Sequence, residues 1–128
     1  MSTPLRTPLK TALGLGSAKQ GLHHFMVQRI TAVALLLLVP WLIWLVLTLI
    51  TLDFAAAHAL LAQPWNASLL LVLVIAVFWH AQLGLQVVIE DYVHGKGSNL
   101  VLQLAVKLLC FLGAAAGVLA VLKIALGR

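Results

Sequence analysis

Three long stretches of this chain carry almost no charge, and they restrict its fold more than any motif does. Ile30 to Leu52 contains no charged side chain, Ser68 to Ile89 has His80 as its one titratable group, and Leu100 to Leu126 is interrupted only by Lys107 and Lys123. Each stretch reaches or exceeds the roughly 20 residues that cross a hydrocarbon core of about 30 Å as an α-helix. A soluble domain of this size has a large polar surface to cover. A composition that is 63% hydrophobic and 9% charged cannot cover it. The expected fold is therefore all-α, an integral membrane protein with three transmembrane helices over about 30–52, 68–90 and 100–126. Residues 1–128 read as a single membrane domain, with 1–21 a polar leader and 22–128 the three-helix region.

The net charge of +5 is arranged as a topology signal, not as a nucleic-acid footprint. Arg6, Lys10, Lys19 and Arg29 precede the first span and Lys96 lies between the second and third, whereas Asp53 to Ala67 has no Lys or Arg. The positive-inside rule then puts the N-terminus and the 90–99 loop on the cytoplasmic or matrix side, and the C-terminus outside. Lys123 and Arg128 oppose this and are outnumbered. Trp65, near the start of the second span, fits an interfacial anchor. The first apolar run follows a long polar leader, so a cleaved secretory signal is not expected.

Pro40 lies midway along the first span and is expected to bend it. The single cysteine, Cys110, rules out an internal disulfide and reads as a small apolar filler. "GLGSAKQG" superficially suggests a phosphate loop, but no strand precedes it. The third span carries "GAAAG" from Gly113 to Gly117, a small-residue face that lets two helices approach closely in lipid. The sequence does not say which helix it meets.

Most of the chemistry sits in residues 78–97, "FWHAQLGLQVVIEDYVHGKG", which hold two of the chain's three carboxylates. A titratable side chain inside a bilayer marks a functional site by default. His80 precedes Asp91 by eleven residues, about 16 Å along a helix, so it falls near mid-membrane when Asp91 is at the boundary. Eleven residues is close to three turns, so His80, Gly84 and Asp91 share one face. A glycine one turn from an imidazole leaves room for something flat and large. Neutral imidazole is a common axial ligand for haem iron. It is equally able to act as a hydrogen-bonding bolt between helices or as a proton relay. Haem ligation by two histidines would need another polypeptide or a second copy of this chain, because His23 and His24 precede the first span, His58 is in the outer loop and His94 follows the second span.

Asp91 and Tyr92 end the second span where lipid meets water. A phenol beside a carboxylate suits the carbonyl of a quinone, which must receive protons as well as electrons. Tyrosine and acidic residues at a helix end also serve as interfacial anchors.

The order His80-Ala81-x-x-Gly84, then Glu90-Asp91-Tyr92-Val93, with "GLHHFMVQRITAV" leading into the first span, resembles the small membrane-anchor subunit of succinate dehydrogenase. "VIEDYVH" is most similar to the alphaproteobacterial and mitochondrial-type branch of that family, the anchors of succinate:quinone oxidoreductase, or respiratory complex II. The resemblance implies a membrane anchor for a flavoprotein subunit and an iron–sulfur subunit, serving respiratory electron transfer and the citric acid cycle. It implies that His80 gives one axial ligand to a haem b whose other ligand comes from the larger cytochrome b anchor subunit. It implies that Tyr92 hydrogen-bonds a ubiquinone carbonyl with Asp91 beside it, and that Arg29 and His23 lie near the haem propionates. His24 occupies a position that is acidic in some relatives, which leaves its role open.

Three alternatives stand beside that reading. One is a haem-free structural or assembly protein in which His80 is an interhelical hydrogen-bonding residue. Another is an anchor of the same family that keeps only the quinone site. A channel or transporter subunit is poorly served by one histidine and Lys107, which can snorkel to the head groups. His94 and Lys96 fit solvated topogenic charge, or contact with peripheral subunits or anionic lipid.

Overall fold

A computed structural model describes residues 7, 9 and 21–127. Among these there are four helices and no strand: α1 (Gly21–Leu49), α2 (Phe54–Ala62), α3 (Pro64–Tyr92) and α4 (Lys96–Ala125). Arg6, Lys10, Lys19 and Arg128, with residues 14–20 of the "GLGSAKQG" segment, lie outside the described residues.

Helices α1, α3 and α4 are long and apolar enough to cross a membrane. They have 29, 29 and 30 residues. At 1.5 Å per residue each is about 43–45 Å long, close to a bilayer with its head groups, not to the hydrocarbon alone. The helices therefore extend beyond the apolar runs. α1 starts nine residues before Ile30, and α4 starts four before Leu100, so Lys96 sits in the first turn of a helix and not in a loop. A backbone hydrogen-bonded to itself needs no apolar side chains to continue into the interface.

Sequence at the joints explains where each helix stops. Beyond Leu49 the chain tightens into a turn in which the Thr51 hydroxyl donates to the Thr48 carbonyl at 2.8 Å. Asp53 then caps α2, accepting from the Ala56 amide at 2.8 Å. Gln63 is extended, as the residue before a proline must be, and Pro64 opens α3 at a position where its missing N–H costs nothing. At the other end Val93 is extended and Asn99 folds back, its Nδ2 donating to the carbonyls of Val93 at 3.0 Å and Ile89 at 3.3 Å. The short helix α2 is an element the apolar pattern did not anticipate.

α3 is the central helix, antiparallel to both neighbours, and it packs against α1 on one side and α4 on the other. Pro40 lies inside α1, which continues through it as helix from Gly21 to Leu49. The buried residues of α1 are Thr31, Leu38 and Leu45, seven apart. The same step on α3 joins buried Asn66 to buried Leu73 and then to His80. A seven-residue repeat keeps a seam facing its partner along the whole length of two helices. The Gly113–Gly117 face of α4 meets α3: a Cβ at Gly113 would strike the Phe78 ring, and one at Gly117 would lie 2.8 Å from Val74 Cγ1. No residue of α4 is itself buried.

Candidate functional site

His80 lies near the middle of α3, on the seam with α1. Its Nδ1 is 3.0 Å from the hydroxyl of Thr31, across the helix pair. Thr31 is 7% exposed, so water does not compete for that contact. The hydroxyl also lies 3.0 Å from each of the Val27 and Gln28 carbonyls of its own helix. The heptad seam thus ends in a polar pair, and one ring nitrogen of His80 is fully engaged. Its Nε2 has no hydrogen-bond partner among the described residues.

The imidazole lines an open cavity of about 280 Å³ together with Phe25, Gln28, Arg29 and Ala32. Arg29 is the one charged group in this lining, and its guanidinium lies over the Phe25 ring at 5.1 Å. Such a cation–π contact steadies an exposed arginine. One turn from His80, Gly84 faces open space, with no atom within 4 Å of where a Cβ would be.

A second, larger open cavity of about 780 Å³ lies between the start of α1 and the end of α3. His23, His24, Trp79, Gln86 and Glu90 line it, and Gln86 Nε2 donates to Glu90 Oε1 at 2.8 Å. The Nε2 of His24 is buried without a hydrogen-bond partner among the described residues. His80 and Arg29 are therefore brought together, while His23 opens onto the neighbouring cavity. Six residues separate His23 from Arg29, about 600° of helix, which turns their side chains to different sides of α1.

Asp91 and Tyr92 occupy the last turn of α3 and are exposed, Tyr92 by 79%. Asn99 fastens that turn to α4, and Gln103 Nε2 donates to Asn99 Oδ1 at 2.7 Å. No group of three or more His, Cys, Asp or Glu that could hold a metal is present among the described residues. Residue patterns alone did not single out Thr31 or Asn99. The available signal for Thr31 was a hydroxyl at the second position of the first apolar run, far from the other two threonines of that run.

Residues 3–114 match the family model described as the succinate dehydrogenase/fumarate reductase transmembrane subunit. That span contains His23, Arg29, His80, Asp91 and Tyr92 and most of the chain. The chain belongs to this family. Curated relatives agree with it. A succinate dehydrogenase hydrophobic membrane anchor subunit from Rickettsia bellii is 40% identical over 94% of this chain and 97% of its own length. The protein of the same name from Rickettsia conorii is 39% identical over 82% of this chain and 84% of its own. The Paracoccus denitrificans anchor subunit is 35% identical over 70% of this chain and 69% of its own. No solved structure matches the chain significantly. As a transmembrane subunit of this family with three helices of spanning length, it is a multi-pass membrane protein.

Proposed function

We propose that this chain is the small anchor of a succinate:quinone oxidoreductase in the bacterial inner membrane. It holds the flavoprotein and iron–sulfur subunits at the cytoplasmic face, shares a haem b with the larger anchor subunit, and forms part of the ubiquinone-reduction site. The orientation with Gly21, Tyr92 and Lys96 on the cytoplasmic side follows from the distribution of Lys and Arg. The observation that carries the haem assignment is His80 on the helix seam, one nitrogen engaged by Thr31 and the ring lining a cavity with Arg29.

The donor set fits one axial position and no more. His80 is the chain's single histidine at that depth, since His23 and His24 lie at the start of α1, His58 is in α2 and His94 follows α3. The second axial ligand then comes from the larger anchor. When bound, the haem supplies a one-electron carrier near the quinone. Arg29 would pair with a propionate by a charge-assisted hydrogen bond from the cavity it shares with His80. His23 would face the propionate region from the neighbouring cavity. Succinate is oxidised elsewhere in the complex, and this chain provides no residue for that step.

At the end of α3, the Tyr92 hydroxyl would donate to a quinone carbonyl, and Asp91 would relay protons from the adjoining aqueous phase. The exposure of both side chains supports this reading, because a site completed by other subunits must be open on the isolated chain. A second reading has one observation in its favour. The His80–Thr31 hydrogen bond is what a haem-free anchor with an interhelical bolt would also contain.

The purified complex separates the two readings. Its reduced-minus-oxidised spectrum should show sharp b-type bands that disappear in His80→Ala. Bands that persist in the variant would remove His80 as a ligand, and a wild-type complex without bands would favour the haem-free anchor. Tyr92→Phe should lower quinone reduction about 100-fold, the scale of one positioned proton donor, while succinate oxidation with a soluble dye persists. Equal loss of both activities would mean that Tyr92 serves assembly instead.

A further inference from the structure

We infer that Thr31 is the positioning residue that makes His80 a ligand: it accepts the Nδ1 proton and leaves the Nε2 lone pair for the iron. This rests on the reading of His80 as an axial haem ligand. A threonine hydroxyl has one proton to give and two lone pairs to receive with. Three groups lie 3.0 Å from the Thr31 oxygen, namely the carbonyls of Val27 and Gln28 and the Nδ1 of His80. The carbonyls can only accept. The one hydroxyl proton is therefore directed back to its own helix, and the contact with His80 is made by the imidazole donating.

A neutral imidazole carries a single N–H. With that proton held on Nδ1, Nε2 is the bare nitrogen, and it is the one that no described residue engages. The opposite tautomer would require Thr31 to turn its proton away from both carbonyls, and it would put an N–H where a ligand needs a lone pair. Of the other side chains that line the cavity, only that of Gln28 carries an acceptor, and the hydrogen bond that His80 makes is to Thr31. Threonine suits the task better than serine in one respect. Its branched Cβ holds the hydroxyl in the few rotamers that reach the preceding turn, so the acceptor is fixed before the imidazole arrives. Partners of this kind set ring orientation and raise ligand basicity in metal-bound histidines generally. The hydrogen bond that looks like a structural bolt thus also prepares the ligand.

The test uses the intact complex with wild-type chain, His80→Ala, Thr31→Val, Thr31→Ser and Thr31→Ala. Haem retention against apomyoglobin, the haem midpoint potential and the low-temperature EPR spectrum of the oxidised haem are the readouts. Thr31→Val keeps the shape and removes the acceptor, so retention should fall about 10-fold or more, and the potential should rise as the ligand loses basicity. Thr31→Ser keeps the hydroxyl and should stay near wild type in potential and EPR spectrum. Simple packing predicts the reverse order, with valine tolerated and serine leaving a void. That reverse order would overturn the inference, as would wild-type potential and spectrum in Thr31→Val. If Thr31→Val fails to assemble, Thr31→Ala and Thr31→Ser, nearly equal in size, repeat the comparison with only the hydroxyl different. An unaltered haem in His80→Ala, by contrast, overturns the axial-ligand reading itself and the role of Thr31 with it.

Discussion

On the side of α3 that meets α1, the buried positions of α1 repeat every seven residues, and the first of them, Thr31, is hydrogen-bonded to His80. On the side that meets α4, the incoming helix buries no side chain of its own and approaches through Gly113 and Gly117. Both are solutions to one physical problem. Between helices in lipid, hydrophobicity gives no advantage to protein over acyl chain, so association must come from close packing or from polar pairing. The α1 seam uses side chains that interlock and one polar pair. The α4 seam uses missing side chains. His80 belongs to the first kind of seam, where its ring is held by a residue of a partner helix.

The larger effect is expected on the α1 seam. Leu45 is 1% exposed and is the largest fully buried side chain. Leu45→Ala should destabilise the chain by about 2–4 kcal/mol, by lost contacts and an unfilled cavity. Thermal unfolding of the detergent-solubilised complex measures this, and a loss below about 1 kcal/mol would show that lipid or detergent fills the space. The α4 seam should respond to the opposite change. Gly113→Leu drives a side chain into the Phe78 ring and should cost about 1–3 kcal/mol by overpacking. The same substitution should leave the haem spectrum unchanged, since Gly113 lies on the other side of α3 from the His80 seam. A shifted spectrum in Gly113→Leu would mean that the two seams are coupled and that the contrast between them is only local.

The three spans were legible because nothing but a bilayer tolerates apolar runs of that length. Their ends were not, because hydropathy stops at the hydrocarbon boundary while hydrogen bonding along α1 and α4 continues through the polar residues beyond it. Asp53 followed by "FAAAHALLA" carried a readable helix start, but it was overshadowed by its position between two spans. His80 was legible as the only titratable residue in its run. The roles given to Arg29 and His23 came from the family pattern, whereas the local reading of Tyr92 and Asp91 left a quinone contact and an interfacial anchor both open. Thr31 was hidden for a different reason: a threonine in an apolar helix has its own carbonyls to bond. Only the register between two helices 49 positions apart reveals the second partner. The separation of His23 from Arg29 was available in principle, since a six-residue step never keeps two side chains on one side of a helix.

α3 is a single unbroken helix from Pro64 to Tyr92, so the stretch from His80 to Tyr92 behaves as a ruler that no loop can adjust. Inserting or deleting one residue within it would rotate Asp91 and Tyr92 by about 100° relative to His80 and shift them by about 1.5 Å. If both sites are as proposed, a change of length in this stretch would disturb one relative to the other, whereas the residues joining α1 to α2, or α3 to α4, could lengthen without moving either. An alignment of anchors that keep both sites should be free of gaps between His80 and Tyr92 and should collect its insertions in the two connections.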